Sequence, residues 1–216
     1  MSLLVLAAVT ALAPRPDALV GTEGQEAYAA WLGQAAVETD RRWAGDTCAE
    51  AEAASDWPVT PAPASFAAAP GFSDVGEEPV LHERVRLTGC GRTRVVNLLT
   101  YRLKAGGWRS FGLLPGEGRA DPARQMQAFA SVIRGVETFT PGCSGAQLQT
   151  TLRSGPVEVT RAPDEAGSWQ ETWPVEACGQ ARPVRVTFQR EAGTDGGFAV
   201  TPLFTPPPAA AAGLRP

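Results

Sequence analysis

The spacing of apolar residues changes period several times along the chain. Tyr28, Trp31, Leu32, Ala35, Thr39 and Trp43 recur at helical spacing, which predicts a helix from about Glu23 to Trp43. Thr22-Glu23-Gly24-Gln25 fits a capping box at its start, and Gly45 stops it just before Cys48. Ala49 to Ala54 is compatible with more helix, but Pro58, Pro61 and Pro63 forbid one beyond. Residues 54–79 therefore read as an irregular loop, with a short extended piece near Trp57-Pro58-Val59. From Val80 the period becomes two. Leu81, Val85 and Leu87 alternate with Arg84, Arg86 and Thr88, and a second strand from Arg94 to Leu103 carries Val95, Val96, Leu98, Leu99 and Tyr101. Lys104-Ala105-Gly106-Gly107 has the composition of a hairpin turn, and Trp108 to Leu114 reads as the return strand. Gly116 to Ala120 reads as a loop.

The second half follows the same order. Asp121-Pro122 places an N-cap and an N1 proline at the start of a helix whose face is Met126, Phe129, Ala130, Ile133, Val136 and Glu137. Pro141-Gly142 ends it, and Cys143 follows at once. Strands are expected over Leu148–Arg153 and Val157–Arg161. Val184, Val186 and Phe188 then alternate with Arg185, Thr187 and Gln189, Glu191 to Gly197 is a turn, and Phe198 to Phe204 returns. The Pro/Ala tail 205–216 reads as disordered.

The two halves also align residue by residue. VRLTGCGRTRVVNLLTYR, Val85 to Arg102, and WPVEACGQARPVRVTFQR, Trp173 to Arg190, match without a gap at an offset of 88. Glu83 falls on Glu171, Cys90 on Cys178, Gly91 on Gly179, Arg94 on Arg182, Val96 on Val184 and Arg102 on Arg190; both copies end in a Gly-Gly pair, Gly106-Gly107 and Gly196-Gly197. The expected fold class is α+β: two tandem repeats, each a helix packed on a small antiparallel sheet, with one disulfide per repeat. The expected boundaries are 1–13 for a signal peptide, 14–21 for a linker, 22–115 for the first repeat, 116–204 for the second and 205–216 for the tail.

The cysteine count sharpens this reading. Cys48, Cys90, Cys143 and Cys178 form an even set suited to an oxidising compartment. Spacing alone cannot choose among their three pairings, but the repeat can. Pairing Cys48 with Cys90 and Cys143 with Cys178 staples each helix end to its own sheet. The N-terminal run LLVLAAVTALA, with Ala11 and Ala13 as small residues before the cut, resembles a secretory signal, although no basic residue precedes it and Pro14 follows the cleavage point. The run is too short to span a bilayer, and no other segment approaches that length. A net charge of −4 gives no electrostatic case for nucleic acid.

Few residues carry distinctive chemistry. The sole histidine, His82, reads as a surface residue beside Glu83 rather than a general base. No two cysteines stand at zinc-finger spacing, so neither a metal nor a cofactor is expected. Glu83 with Arg94 and Glu171 with Arg182 are candidates for two pseudosymmetric binding sites, or for cross-strand ion pairs beside the Cys-Gly corner. Trp31, Trp43 and Trp173 fit core faces, whereas Trp57, Trp108 and Trp169 suit a groove; Trp108 is the aromatic candidate for binding.

The pattern W-x-V-x-x-C-G followed by a strand and a Gly-Gly turn (Trp173, Val175, Cys178, Gly179, Gly196-Gly197) resembles uncharacterised secreted or lipoprotein-like proteins of proteobacteria. The D-P-x-x-Q helix start, Asp121, Pro122 and Gln125, is similar too. The likeness covers about 121–202, with a weaker echo over 23–114, where Val85 replaces Trp173. It implies an envelope location and transfers no catalytic residue. The expected function is a non-enzymatic binding or accessory protein of the periplasm or the secreted fraction. Its partner is an unknown envelope protein or small ligand, and its mature chain has no transmembrane span. The alternative is a carboxylate-dependent hydrolase using Glu83, Glu171 or Asp121.

Overall fold

A computed structural model describes residues 9–12, 24–45, 48, 50–55, 59–62, 73–76, 79–140, 142–143, 147–148, 152–190 and 198–204. The linker 14–21, Thr22, Trp57, the turn 191–197 with Gly196-Gly197, and the tail 205–216 lie outside the described residues, as do most of 1–13 and the side chain of Arg182. The protein is α+β, with two helices and two sheets among the described residues. It divides into two compact units, residues 1–125 and 126–216.

In the first unit, helix α1 (Gln25–Ala44) ends on Gly45, whose φ of 77° and N–H bond to the Arg41 carbonyl make a left-handed cap. Its N-cap is Gly24, which has no side chain to cap with, so the capping box expected at Thr22 does not define the start. Strand β1 (Val9–Leu12) pairs in parallel with β2 (Glu52–Ser55). A chain cleaved after Ala13 would therefore lose one strand and leave β2 at the sheet edge. The helical extension considered for Ala49–Ala54 is this strand β2: the segment turns into extended backbone and pairs with Leu87 and its neighbours. Short β3 (Thr60–Pro61) pairs with the other end of β4 (Leu81–Gly89), and β4 pairs with β5 (Arg92–Arg102), which pairs with β6 (Trp108–Gly112) at the far edge.

Pairing puts the odd residues of β4 and the even residues of β5 on one face. There Val85, Leu87, Val96 and Leu98 form a core with Tyr28, Leu32, Ala35 and Ala36 of α1. The close approach of helix and sheet requires Gly112, because a Cβ there would stand 2.5 Å from Cγ2 of Thr39. The opposite face is also covered. Residues 113–116 continue along the edge of β5, with Leu113 N–H bonded to the Asn97 carbonyl and Gly116 N–H to the Val95 carbonyl, and the following residues turn over this face, where Arg84 Nη2 reaches the Gly118 carbonyl at 3.0 Å.

In the second unit, helix α2 (Pro122–Phe139), whose first turn groups with the first unit, starts as expected. Asp121 Oδ1 accepts from the Arg124 N–H at 2.9 Å. Of the strand expected over Leu148–Arg153, Arg153 lies in β7 (Arg153–Ser154) and the Leu152 N–H donates to the Leu148 carbonyl, while residues 149–151 lie outside the described residues. β7 and β8 (Glu158–Arg161) pair with opposite ends of β9 (Trp169–Ala177). β9 pairs with β10 (Gln180–Arg190), and β10 with β11 (Phe198–Phe204). Val184 lies opposite Phe204, whose ring lies against Gly135 of α2, so this helix covers the face that carries Trp173, Val175, Val184, Val186 and Phe188.

The hairpins β4–β5 and β9–β10 occupy ranges displaced by 88 residues and share one register: Leu81 lies opposite Thr100 in the first, and Trp169 opposite Phe188 in the second. Both corners are two-residue turns with left-handed φ, 49° and 72° at Cys90-Gly91, 50° and 73° at Cys178-Gly179. Two successive positive φ values define a type I′ turn, which matches the natural twist of a hairpin. Glycine takes its place without cost, while each cysteine is held in a region that non-glycine residues seldom adopt. Each is tied down by a disulfide. Cys48–Cys90 and Cys143–Cys178 both form, with Cα separations of 5.9 and 6.0 Å. Gly89 makes room for the first, since a Cβ there would meet Cys48 Sγ at 2.9 Å.

Candidate functional site

The matched residues Glu83 and Glu171 occupy equivalent places on the helix-facing side of their hairpins, and neither is at the surface. Glu83 is 1% exposed and Glu171 is 0% exposed. Burying a carboxylate costs several kcal/mol unless donors replace its water, and each unit supplies them differently. Glu83 Oε1 accepts from the Tyr28 hydroxyl of α1, and from Thr100 Oγ1 at 2.5 Å. Glu171 accepts one indole N–H on each oxygen, Trp169 Nε1 at 3.0 Å and Trp173 Nε1 at 2.9 Å. Because Trp169, Glu171 and Trp173 alternate along β9, all three lie on one face, and the strand forms its own carboxylate clamp.

This geometry revises the cross-strand pairing expected for Glu83 and Arg94. Glu83 lies opposite Leu98, and Arg94 opposite Leu87, so no cross-strand pair joins Glu83 to Arg94. Arg94 instead reaches helix α1, where its Nη1 donates to both oxygens of Asp40 at 2.9 Å. The two side chains are 19% and 9% exposed, and they tie the last turn of α1 to the start of β5. In the second hairpin, Arg182 of β10 lies opposite Val175 of β9.

The tryptophans divide differently from the expectation. Trp43 and Trp173 are buried as expected, but Trp169, assigned to a groove, is buried as well and stacks on Phe188 with ring centroids 4.6 Å apart. Trp31, assigned to the core, and Trp108, assigned to a groove, share one place. Both are half-buried, and Tyr28 bridges them, 4.7 Å edge-on from Trp108 and 5.4 Å from Trp31. Trp108 opens the edge strand β6, so this aromatic cluster sits where the first sheet ends, with the buried Glu83 bonded to its central ring. It is the arrangement in the first unit that joins partly exposed aromatic surface to a buried polar group.

His82 is the second correction. It is 9% exposed, because it belongs to the face that residues 113–121 cover. Its pKa is lowered to about 4, first by burial and then by the neighbouring Arg84, with Asn97 and Asp121 pulling the other way. Neutral and enclosed, it serves packing at ordinary pH. The sequence held the signal for this. Val95, Asn97, Leu99 and Tyr101 on the back of β5 are larger or more apolar than Pro183, Arg185, Thr187 and Gln189 at matching places on β10. A strand apolar on both faces is a strand buried on both faces.

Among the described residues no group of three or more His, Cys, Asp or Glu side chains is placed to hold a metal ion. No described helix is long and apolar enough to cross a membrane. The chain matches no protein-family model, no curated protein and no solved structure.

Proposed function

We propose that the chain is an exported binding or accessory protein of the cell envelope, periplasmic or secreted, built from two tandem copies of one helix-on-sheet unit. The observation that carries this reading is the paired corner. Two hairpins displaced by 88 residues share length, register and turn φ values, and each is closed by its own disulfide to the residue that follows the helix. Duplication explains why two segments with few identities repeat a rare cysteine conformation. Two disulfides fit an oxidising compartment.

Binding is assigned to the first unit, at the half-buried Trp31 and Trp108, with the buried Tyr28 between them. Large aromatic side chains that keep part of their surface in water make strong anchors for a ligand or partner. The buried carboxylates belong to the fold in this reading. Glu83 and Glu171 are enclosed and hydrogen-bonded, which deprives the hydrolytic alternative of two of its three carboxylates.

The experiment is cell fractionation with a photoreactive residue introduced beside the cluster at Ser110. The expected result is an envelope location with a discrete crosslinked species that the double variant Trp31→Ala/Trp108→Ala loses while its disulfides still form. Cytoplasmic protein, or crosslinking unchanged in the double variant, would contradict the reading.

A further inference from the structure

We propose that residues 113–121 form an acid-released strap over the back of the first sheet, with His82 as its trigger. The strap is held by a small set of bonds. Asn97 Nδ2 donates to the carbonyls of Leu114 and Gly116 at 2.8 and 2.9 Å, and Arg84 Nη2 donates to the Gly118 carbonyl at 3.0 Å. Two backbone bonds add to these, Leu113 N–H to the Asn97 carbonyl and Gly116 N–H to the Val95 carbonyl. At its far end Asp121 caps helix α2, and Gln125 Nε2 holds the Ala120 carbonyl at 3.1 Å.

His82 lies on the strand that carries Arg84, in the face the strap covers. Its Nε2 is buried with no hydrogen-bond partner among the described residues. A neutral imidazole tolerates that position. An imidazolium would place a second positive charge beside the Arg84 guanidinium in a site that burial keeps from water, which outweighs the hydrogen bond that Asn97 offers it. Among the described residues, the charged groups that bear on it are Arg84 from its own strand and Asp121 from the end of the strap; the adjoining strand contributes the neutral Asn97, and β3 pairs through Thr60. Asp121 is already engaged, with an ion pair to Arg124 at 2.8 Å as well as the helix cap. Glu117 and Arg119 of the strap are exposed.

Lifting the strap hydrates His82 and frees it to take a proton. It also frees the strap's own buried Leu113 and Leu114 and bares the back of β5 at Val95, whose carbonyl Gly116 holds, so that an acidic medium exposes apolar surface there. The device belongs to the first unit only, since the corresponding face of β9 and β10 carries Gln170, Thr172, Arg185 and Gln189, all partly or fully exposed. It does not depend on the binding role proposed above.

The test is hydrogen exchange of the intact protein between pH 7.5 and pH 5, with rates corrected for the intrinsic effect of pH. For a histidine that titrates at about 4 when covered and near its ordinary value of 6.5 when released, the strap's open fraction should rise about 30-fold by pH 5. The Leu113 and Gly116 amides should lose protection by that factor while amides shared by β4 and β5 do not. His82→Gln should abolish the change. As His82 is the sole histidine, its imidazole resonance reports its titration directly in the unmodified protein, which keeps the test valid should the variant fold poorly. Protection at Leu113 and Gly116 that is independent of pH would overturn the proposal. So would equal loss throughout β4 and β5, or a His82 that titrates at the ordinary histidine value.

Discussion

Replacing each buried glutamate by glutamine separates two kinds of carboxylate site that occupy the same place in the two units. Glutamine keeps the shape and one carbonyl oxygen but converts the other oxygen into a donor. At Glu171 an indole N–H meets each oxygen, and an indole nitrogen can only donate. One tryptophan must then face an NH2 group. Losing a hydrogen bond to a charged acceptor costs about 1.5–3 kcal/mol, and an orphaned buried donor about 1–3 kcal/mol. Relief of the buried charge offsets part of this, so Glu171→Gln should destabilise the second unit by about 2–4 kcal/mol. At Glu83 the partners are the hydroxyls of Tyr28 and Thr100, which rotate and can accept as well as donate. Glu83→Gln should therefore cost only about 0–1.5 kcal/mol. Urea unfolding followed by tryptophan emission and by hydrogen exchange within each hairpin measures both, because Trp169 and Trp173 report the second unit. Equal losses, or a larger loss at Glu83, would refute the argument from donor chemistry.

Other outcomes follow from the same contacts. Arg94→Gln should cost about 1–3 kcal/mol by stranding the largely buried Asp40, and in an Asp40→Asn background a double-mutant cycle should show most of that cost gone. Gly112→Ala should cost about 1–3 kcal/mol through collision with Thr39, and Thr39→Ala should recover part of that loss in thermal melts. Replacing Cys48 and Cys90 together by serine frees a span of 42 residues, for which loop entropy gives a loss of about 4 kcal/mol, read as a lower denaturation midpoint of the first unit.

What the sequence made legible was whatever rested on local pattern. Alternation along Val184, Val186 and Phe188 located β10 and its buried face, and Asp121-Pro122 located the start of α2. The gapless offset of 88 carried the cysteine pairing, because it equated the two corners before any distance was known. On its type His82 reads as a surface residue, and Glu83 and Glu171 read as a binding site or cross-strand ion pairs, and neither reading foresees the burial of these side chains. Tyr28, a partner of Glu83, lies 55 residues away, beyond the reach of spacing, whereas Glu171 is bonded by Trp169 and Trp173, two residues to either side on its own strand, a pattern already present in the sequence. Residues 116–120 read as a loop opening the second repeat; they are a loop, but Asn97 and Arg84 bond it to the first sheet and it groups with the first unit. The binding cluster was half legible. Trp108 was singled out, but Trp31, at helical spacing with Tyr28 and Leu32, looked like core.

The proposed pair of separately crosslinked units is tested most directly by peptide mapping of the unreduced protein taken from its native compartment. The account predicts two linked species, Cys48 with Cys90 and Cys143 with Cys178, and no free thiol. A peptide joining Cys90 to Cys178, or four free thiols, would contradict it.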